Sequence, residues 1–183
     1  MGINVNGIDF TASSGTLTAA NSGATTAMTV NSNGIITRPQ RPVFQGTFSG
    51  NGTFYNSYNA GWLNVKSVGV ILNTGSCWNN TTGVFTCPVA GKYLSFLSGI
   101  ATGAANGVQY YGYLYIWKNG GTVAFTHWSH QSYWDYATIT AVLDCAASDT
   151  ISFQILSGNG SDARTGGLYG AGDHSSLGIG MIG

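Results

Sequence analysis

The sequence predicts an all-β protein whose main body is a two-sheet sandwich. Three observations support this class. Short β-prone segments recur along residues 43–183, Gly- and Asn-rich turns separate them, and no stretch keeps a helical hydrophobic period over eleven residues. Evenly spaced short strands with such turns are typical of sandwiches and barrels. The 183-residue length suits one domain with a short extension, and nine or ten strands fit a jelly roll.

Residues 1–37 are rich in Gly, Ser, Thr, Ala and Asn and contain few large apolar side chains. Short alternating pieces at 3–5 and 27–30 are accompanied by the turn signals Asn6-Gly7 and Asn33-Gly34. The apolar content is too low for an independent core. We therefore interpret residues 1–42 as a docking arm or short β stem that becomes ordered on a partner. Pro39 and Pro42 favour an extended connector to a head at residues 43–183.

The head contains a series of predicted strands. The continuous apolar run Val68–Leu72 predicts a fully buried strand. Lys118-Asn119-Gly120-Gly121 is a tight hairpin signal. In the segment 150–155, Ile151, Phe153 and Ile155 point to one face. Further β-prone segments lie at 83–87, 91–102, 109–118, 123–127, 134–143 and 177–181.

The segment 109–118 carries large side chains on both faces. One face consists of Tyr111, Tyr113, Tyr115 and Trp117, and the other includes Leu114 and Ile116. A sandwich strand needs only one face for the core, and Tyr and Trp are enriched at subunit interfaces. We therefore predict the tyrosine face as the interface between copies of the chain. The alternative is a solvent-exposed face with its hydroxyl groups in water.

The chain has very few charges. Charged residues make up 7% of the sequence, Glu is absent, and the net charge is zero, although 43% of residues are hydrophobic. This composition argues against nucleic acid and against a polybasic membrane patch, and no apolar run reaches the ~18 residues of a membrane span. The first residues lack the features of a signal peptide, so we expect synthesis in a cytosol. Scarce charge indicates that much of the surface is buried against copies or a larger assembly.

The densest group of chemically active side chains is His127-Trp128-Ser129-His130, with Asp135 nearby. His-x-x-His with a carboxylate could hold a metal, but we favour an exposed aromatic loop without metal. Ser129, His130 and Asp135 are the residue types of a catalytic triad, but closeness in sequence does not give them the geometry of a triad. A glycoside hydrolase needs two paired carboxylates; the chain has no Glu, and no pattern in the sequence pairs two Asp residues. We therefore expect no catalytic site. The candidate ligand-contact residues of this loop are His127, Trp128, His130, Tyr133 and Trp134.

The three cysteines, Cys77, Cys87 and Cys145, leave at least one thiol unpaired within the chain. Cys77 and Cys87 bracket a turn-rich stretch and could form a disulfide between neighbouring strands. In a cytosolic protein, three small buried apolar residues are the favoured interpretation.

Residues 71–96 resemble the globular-head domain of complement C1q, in the C1q and tumour-necrosis-factor superfamily. The pattern runs from Ile71-Leu-Asn-Thr74 through Trp78 to Thr82-Gly-Val-Phe-Thr-Cys-Pro-Val-Ala-Gly-Lys-Tyr93-Leu-Ser-Phe96. Weaker similarities at 115–120, 141–153 and 176–179 extend it over residues 43–183. The resemblance implies a ten-stranded jelly roll and a compact homotrimer with aromatic side chains on its axis. Phe85, Tyr93 and Phe96 are spaced to fill a shared core.

The same resemblance leaves one cofactor hypothesis open. Some C1q-like heads bind calcium near the apex, and Asp162 and Asp173 would be its ligands here. No other metal or cofactor is expected.

Residues 28–44 resemble the lead-in to C1q-like domains of bacteriophage virion proteins. We therefore expect a trimeric structural protein of the phage virion surface, of the capsid decoration, cement or head-fibre type, made in the host cytoplasm. Residues 1–42 would dock to a virion protein such as the major capsid protein, with the head displayed outward. The alternative is a receptor-binding tail-fibre tip or carbohydrate-binding module that uses the aromatic loops 54–62 and 127–136 on host-surface glycans.

Overall fold

The computed structural model describes residues 2–5, 8–21, 26–38, 41–48, 63–102, 110–130, 134–157, 167–168 and 175–182. The chain divides into two units, Met1–Arg41 and Pro42–Gly183. Every regular element in the described ranges is a β-strand, which confirms the all-β prediction. Within these ranges, no helix has the length and apolar character needed to cross a membrane.

The N-terminal unit is one antiparallel sheet whose five strands follow each other in sequence order. Ser14 and Gly15, both with positive φ, form the tight turn between the second and third strands. The predicted turn at Asn33-Gly34 is present, with Gly34 at φ 76° and its N–H donating to the Asn31 carbonyl; Asn6-Gly7 lies outside the described residues. The strands are β1 (Gly2–Val5), β2 (Ile8–Ser13), β3 (Thr16–Asn21), β4 (Thr26–Val30) and β5 (Ile36–Thr37).

The described residues of the head contain the strands β6 (Val43–Thr47), β7 (Leu63–Asn64), β8 (Gly69–Thr74), β9 (Trp78–Asn79), β10 (Val84–Thr86), β11 (Gly91–Thr102), β12 (Tyr110–Lys118), β13 (Gly121–His130), β14 (Trp134–Cys145), β15 (Thr150–Ser157), β16 (Gly167–Leu168) and β17 (Ser176–Met181). They form two six-stranded sheets. One, here called the Phe96 sheet, has the order β14-β11-β17-β6-β8, with β16 also pairing with β11. The other, the Tyr115 sheet, has the order β13-β12-β15-β10-β9, with β7 also pairing with β15. The described head has twelve strands, of which β7, β9 and β16 have only two residues each; the nine longer strands agree with the nine or ten predicted.

The core lies between the two sheets and is rich in aromatic side chains. Phe85 and Tyr93 are completely buried and pack edge to face, with ring centroids 5.9 Å apart. Phe44 and Trp78 stack at 4.1 Å. The Tyr93 hydroxyl donates to the Val89 carbonyl at 2.9 Å, so its polar end is satisfied. The predicted inward face of β15 is confirmed: Ile151, Phe153 and Ile155 are all fully buried.

A polar network joins the hairpin between β12 and β13 to the turn before β15. Asn119 Nδ2 donates to Asp149 Oδ1 at 2.8 Å, and Lys118 pairs with Asp149 Oδ2 at 2.9 Å. The Asn119 carboxamide oxygen accepts from the Thr150 N–H. Positive φ at Asn119 and Gly120 accounts for the hairpin signal seen in the sequence. The network fixes one end of the Tyr115 sheet.

Two sequence-based predictions about packing are wrong. Val68 is buried, but Val70, Ile71 and Leu72 are exposed because β8 is an edge strand whose pairing with β6 is interrupted by a bulge. Phe96 is absent from the core because strand alternation places position 96 on the face opposite to Tyr93.

Candidate interaction surfaces

The outward face of the Phe96 sheet is apolar at its centre. Leu94 and Phe96 project from the inner strand β11, and the register places Val142 of β14 opposite Leu94. On the other side, Gly178 lies opposite Phe96 and Gly180 opposite Leu94. The resulting open hollow has a volume of about 300 Å³, and its lining includes Leu94, Phe96, Gly180 and Met181. We call this surface the Phe96 face.

Glycine at position 178 allows the Phe96 ring to lie on the sheet. A Cβ atom at Gly178 would come within 2.6 Å of Phe96 Cε1 and 3.1 Å of the Phe44 carbonyl oxygen. At Gly180 the corresponding nearest atom is a Val43 methyl carbon at 3.4 Å, an ordinary contact. The missing side chain at Gly178 therefore makes room for the Phe96 ring, and the missing side chain at Gly180 leaves a shallow surface that another chain can approach.

The outward face of the Tyr115 sheet carries a second aromatic surface. Tyr115 packs on Phe125 across the β12–β13 pair with ring centroids 5.9 Å apart. Tyr113 lies 5.9 Å from Tyr115 and 6.3 Å from His127, measured between ring centroids. Burial, and then the neighbouring Tyr113, raise the pKa of Tyr115. We call these four residues the Tyr115 face.

An amide pair lies alongside the Tyr115 face. Gln154 is opposite Tyr115 on β15, and its Nε2 donates to Asn64 Oδ1 at 2.8 Å. Gln154 is only 8% exposed, and its buried Oε1 has no hydrogen-bond partner within the described part of the chain. Aromatic rings beside an amide offer both a stacking surface and hydrogen-bonding groups.

The predicted interface strand does present two apolar faces. Leu114 and Ile116 are fully buried in the core, whereas Tyr113, Tyr115 and Trp117 occupy the outward side and are partly buried. The side chain of Tyr111 lies outside the described residues. Contact of this face with another copy stays a prediction.

The described parts of the predicted loop at 127–136 are strands instead. β13 continues to His130, where the register pairs it with Tyr110, and β14 begins at Trp134. Continued pairing with β12 explains the difference, because it supplies hydrogen bonds that a loop would lack. The exposed His127 contributes to the Tyr115 face.

Several candidate site residues cannot be placed. Among the residues that the structure describes, no group of three or more His, Cys or Asp side chains could hold a metal. Other predicted site residues lie outside the described part of the chain. This holds for Tyr133, Asp162, Asp173 and the loop at 54–62, and for the side chains of Trp128, His130, Trp134 and Asp135.

The three cysteines are buried free thiols, as the sequence favoured. Burial raises the pKa of Cys77. Burial, and then the neighbouring Cys145 thiol, raise the pKa of Cys87 to about 12. The Cys77 and Cys87 thiols are therefore protonated near neutral pH and poor nucleophiles.

Two antiparallel sheets in this strand order define a sandwich of the C1q and tumour-necrosis-factor type. The model of the C1q domain family matches residues 48–171, and the chain belongs to that family. The resemblance of the head to the C1q globular domain is thereby confirmed.

Solved structures support the fold assignment. A crystal structure of murine APRIL at pH 5.0 matches with a TM-score of 0.54 and 12% identity, covering 78% of this chain and 99% of that one. The globular domain of zebrafish complement 1qA matches with a TM-score of 0.51 and 16% identity, covering 78% and 98%. A search of curated proteins gave no match.

Proposed function

We propose that this protein is a homotrimeric binding and assembly module without catalytic activity, and that the Phe96 face is its subunit interface. Trimeric assembly is implied by the C1q-like fold. The observation that carries the choice of face is the apolar hollow lined by Leu94, Phe96, Gly180 and Met181, where the lack of a side chain at Gly180 leaves room for a neighbouring chain.

The Phe96 face fits a subunit interface better than the Tyr115 face for two reasons. It is centred on β11 and β17, which are inner strands of their sheet, whereas the Tyr115 face reaches the edge strand β13. Its centre carries aliphatic, phenyl and glycine groups with two uncharged polar neighbours, Thr140 opposite Phe96 and Gln45 opposite Gly178. A lack of charged side chains is typical of interface cores. The Tyr115 face, which includes part of the interface predicted from the sequence, is the competing surface.

A matched pair of variants distinguishes the two faces. Phe96→Arg should convert the trimer into a folded monomer, because a guanidinium would be buried without a partner. Tyr115→Arg should leave the trimer intact, as measured by sedimentation velocity with circular dichroism as a control for folding. If only Tyr115→Arg dissociates the assembly, the Tyr115 face is the interface.

We further propose that the trimer lies on a phage virion surface, as a decoration, cement or head-fibre protein. It would be made in the host cytoplasm and attach through residues 1–42 to a virion protein such as the major capsid protein. The likeness of residues 28–44 to the lead-in of phage C1q-like domains supports this location, as does the 7% charge.

Attachment can be tested with purified phage shells that lack this protein. The full chain should co-sediment with shells, and a chain lacking residues 1–37 should remain in the supernatant while keeping a cooperative melting transition. Normal co-sedimentation of the shortened chain would place the docking surface on the head and contradict the proposal.

A second candidate function is recognition of host-surface carbohydrate by the Tyr115 face, as in a tail-fibre tip. The observation that favours it is the contact of Tyr113, Tyr115 and Phe125 beside the Gln154–Asn64 pair. Phe125→Ala should abolish binding on a glycan array, whereas Val123→Ala, also exposed on β13, should not. Equal binding by both variants would exclude this surface.

A further inference from the structure

The N-terminal sheet separates apolar and polar side chains onto opposite faces. Because strand side chains alternate and cross-strand partners share a face, the register defines both sets. Ile8, Phe10 and Ala12 of β2 lie on the same side as Leu17 and Ala19 of β3. The same side continues through Met28 and Val30 of β4 to Ile36 of β5.

The other side of this sheet is polar. It carries Asp9, Thr11 and Ser13 of β2 and Thr16 and Thr18 of β3. Thr29 of β4 continues it, and Asn4 of β1 donates to Asp9 Oδ1 at 2.6 Å. Separation of this kind, in which Ala20 is an apolar exception on the polar side, is typical of a sheet with one face in water and the other against a second layer.

The N-terminal unit has no second layer of its own in the described residues. All five of its strands belong to one sheet, and the apolar side chains of Ile8, Leu17 and Ile36 are 43%, 44% and 56% exposed. A single sheet needs a cover on its apolar face to be stable in water.

We infer that the apolar face of β2–β5 is covered by the same face of the two sister chains, so that three N-terminal units form a three-sided β stem. This inference rests on the homotrimer proposed above. A trimeric head tethers three identical faces at an effective concentration of roughly millimolar. A threefold arrangement buries all three apolar faces at once and leaves each Thr- and Ser-rich face in water.

The area of this apolar face suits contact with sister chains that the trimeric head already holds nearby. From β2 to β5 it is about 14 Å wide and about 20 Å long, or roughly 300 Å². That area is well below the roughly 800 Å² per partner of a stable independent complex. The face is therefore suited to extending an assembly that the head already holds together.

Cross-linking of the full chain tests the inference directly. Leu17→Cys places a thiol on the apolar face, and Thr18→Cys places one on the polar face of the same strand; the native thiols are buried. With a short bifunctional maleimide, Leu17→Cys should give two- and three-chain products on a denaturing gel, and Thr18→Cys should not.

A second pair of variants provides an independent measurement. In hydrogen exchange of the full chain, Leu17→Asp should make amides of β2–β4 exchange about tenfold faster, and Thr18→Asp should leave them within about twofold of wild type. Equal protection in both Asp variants would contradict the stem.

These measurements, combined with the mass of the assembly, distinguish failure of the stem inference from failure of the trimer proposal. A three-chain mass by light scattering, with a Leu17→Cys thiol that reacts freely or links no chains, would overturn the stem and leave the trimer standing. In that case the particle or the chain's own head would cover the face. A one-chain mass would overturn the trimer, and the stem with it.

Discussion

The Phe96 ring lies directly across Gly178, so closely that a Cβ atom at position 178 would sit 2.6 Å from Phe96 Cε1. Gly178→Ala must therefore displace the ring or the strand. We expect a loss of about 1–3 kcal/mol in the free energy of unfolding and weaker self-association, measured by denaturant titration and sedimentation. Gly180→Ala is the matched control for the free energy of unfolding, because its methyl group would meet Val43 at an ordinary 3.4 Å. Equal losses of free energy of unfolding in the two variants would contradict this packing.

The core prediction concerns Phe85, which is fully buried against Tyr93. Phe85→Ala should lower the free energy of unfolding by about 3–5 kcal/mol, because it removes a large side chain and leaves a cavity. Val89→Ala, at an exposed position, is the control and should change little. A loss below about 1 kcal/mol for Phe85→Ala would place this side chain at the surface.

Acid should weaken the hairpin network around Asp149. The Asn119 amide, the Lys118 ammonium group and the Ala146 N–H lower the pKa of Asp149 to about 2. A depressed folded-state pKa stabilises the fold above the ordinary pKa of 3.8 and loses that contribution as pH falls toward 2. The melting temperature should therefore fall between pH 4 and pH 2. In Asp149→Asn the melting temperature should be lower at pH 7 and change less across this window; an unchanged profile would show that the network is not stabilising.

The buried cysteines should resist modification. Because burial raises the pKa of Cys77 and Cys87, an aromatic disulfide reagent at pH 8 should modify no thiol of the native protein within minutes. In denaturant the same reagent should titrate three. A fast native reaction at Cys87 would contradict its burial.

The sequence predicts the sandwich well because its signals are local. Alternation and turn chemistry are sufficient to place β11, β12 and the hairpin at Asn119-Gly120. The family pattern is also local in sequence, and it identifies Phe85 and Tyr93 as core residues.

The wrong predictions concern residues whose burial depends on where their strand lies in the sheet and on which face of the strand they occupy. Ile71 belongs to an apolar run, yet it lies on an edge strand, and run length alone cannot distinguish an edge from a centre. Phe96 follows Tyr93 by three positions, an odd spacing that puts the two side chains on opposite faces of a strand. The same parity could have identified the Phe96 face from the sequence. The glycines at 178 and 180 become informative only once their register with β11 is known.

The central claim is trimeric assembly of the whole chain. Multi-angle light scattering of the purified wild-type protein at micromolar concentration measures it without mutation or labelling. A homotrimer should appear as a single species with three times the mass of the 19.0-kDa chain. A monodisperse species with the mass of one chain would contradict it.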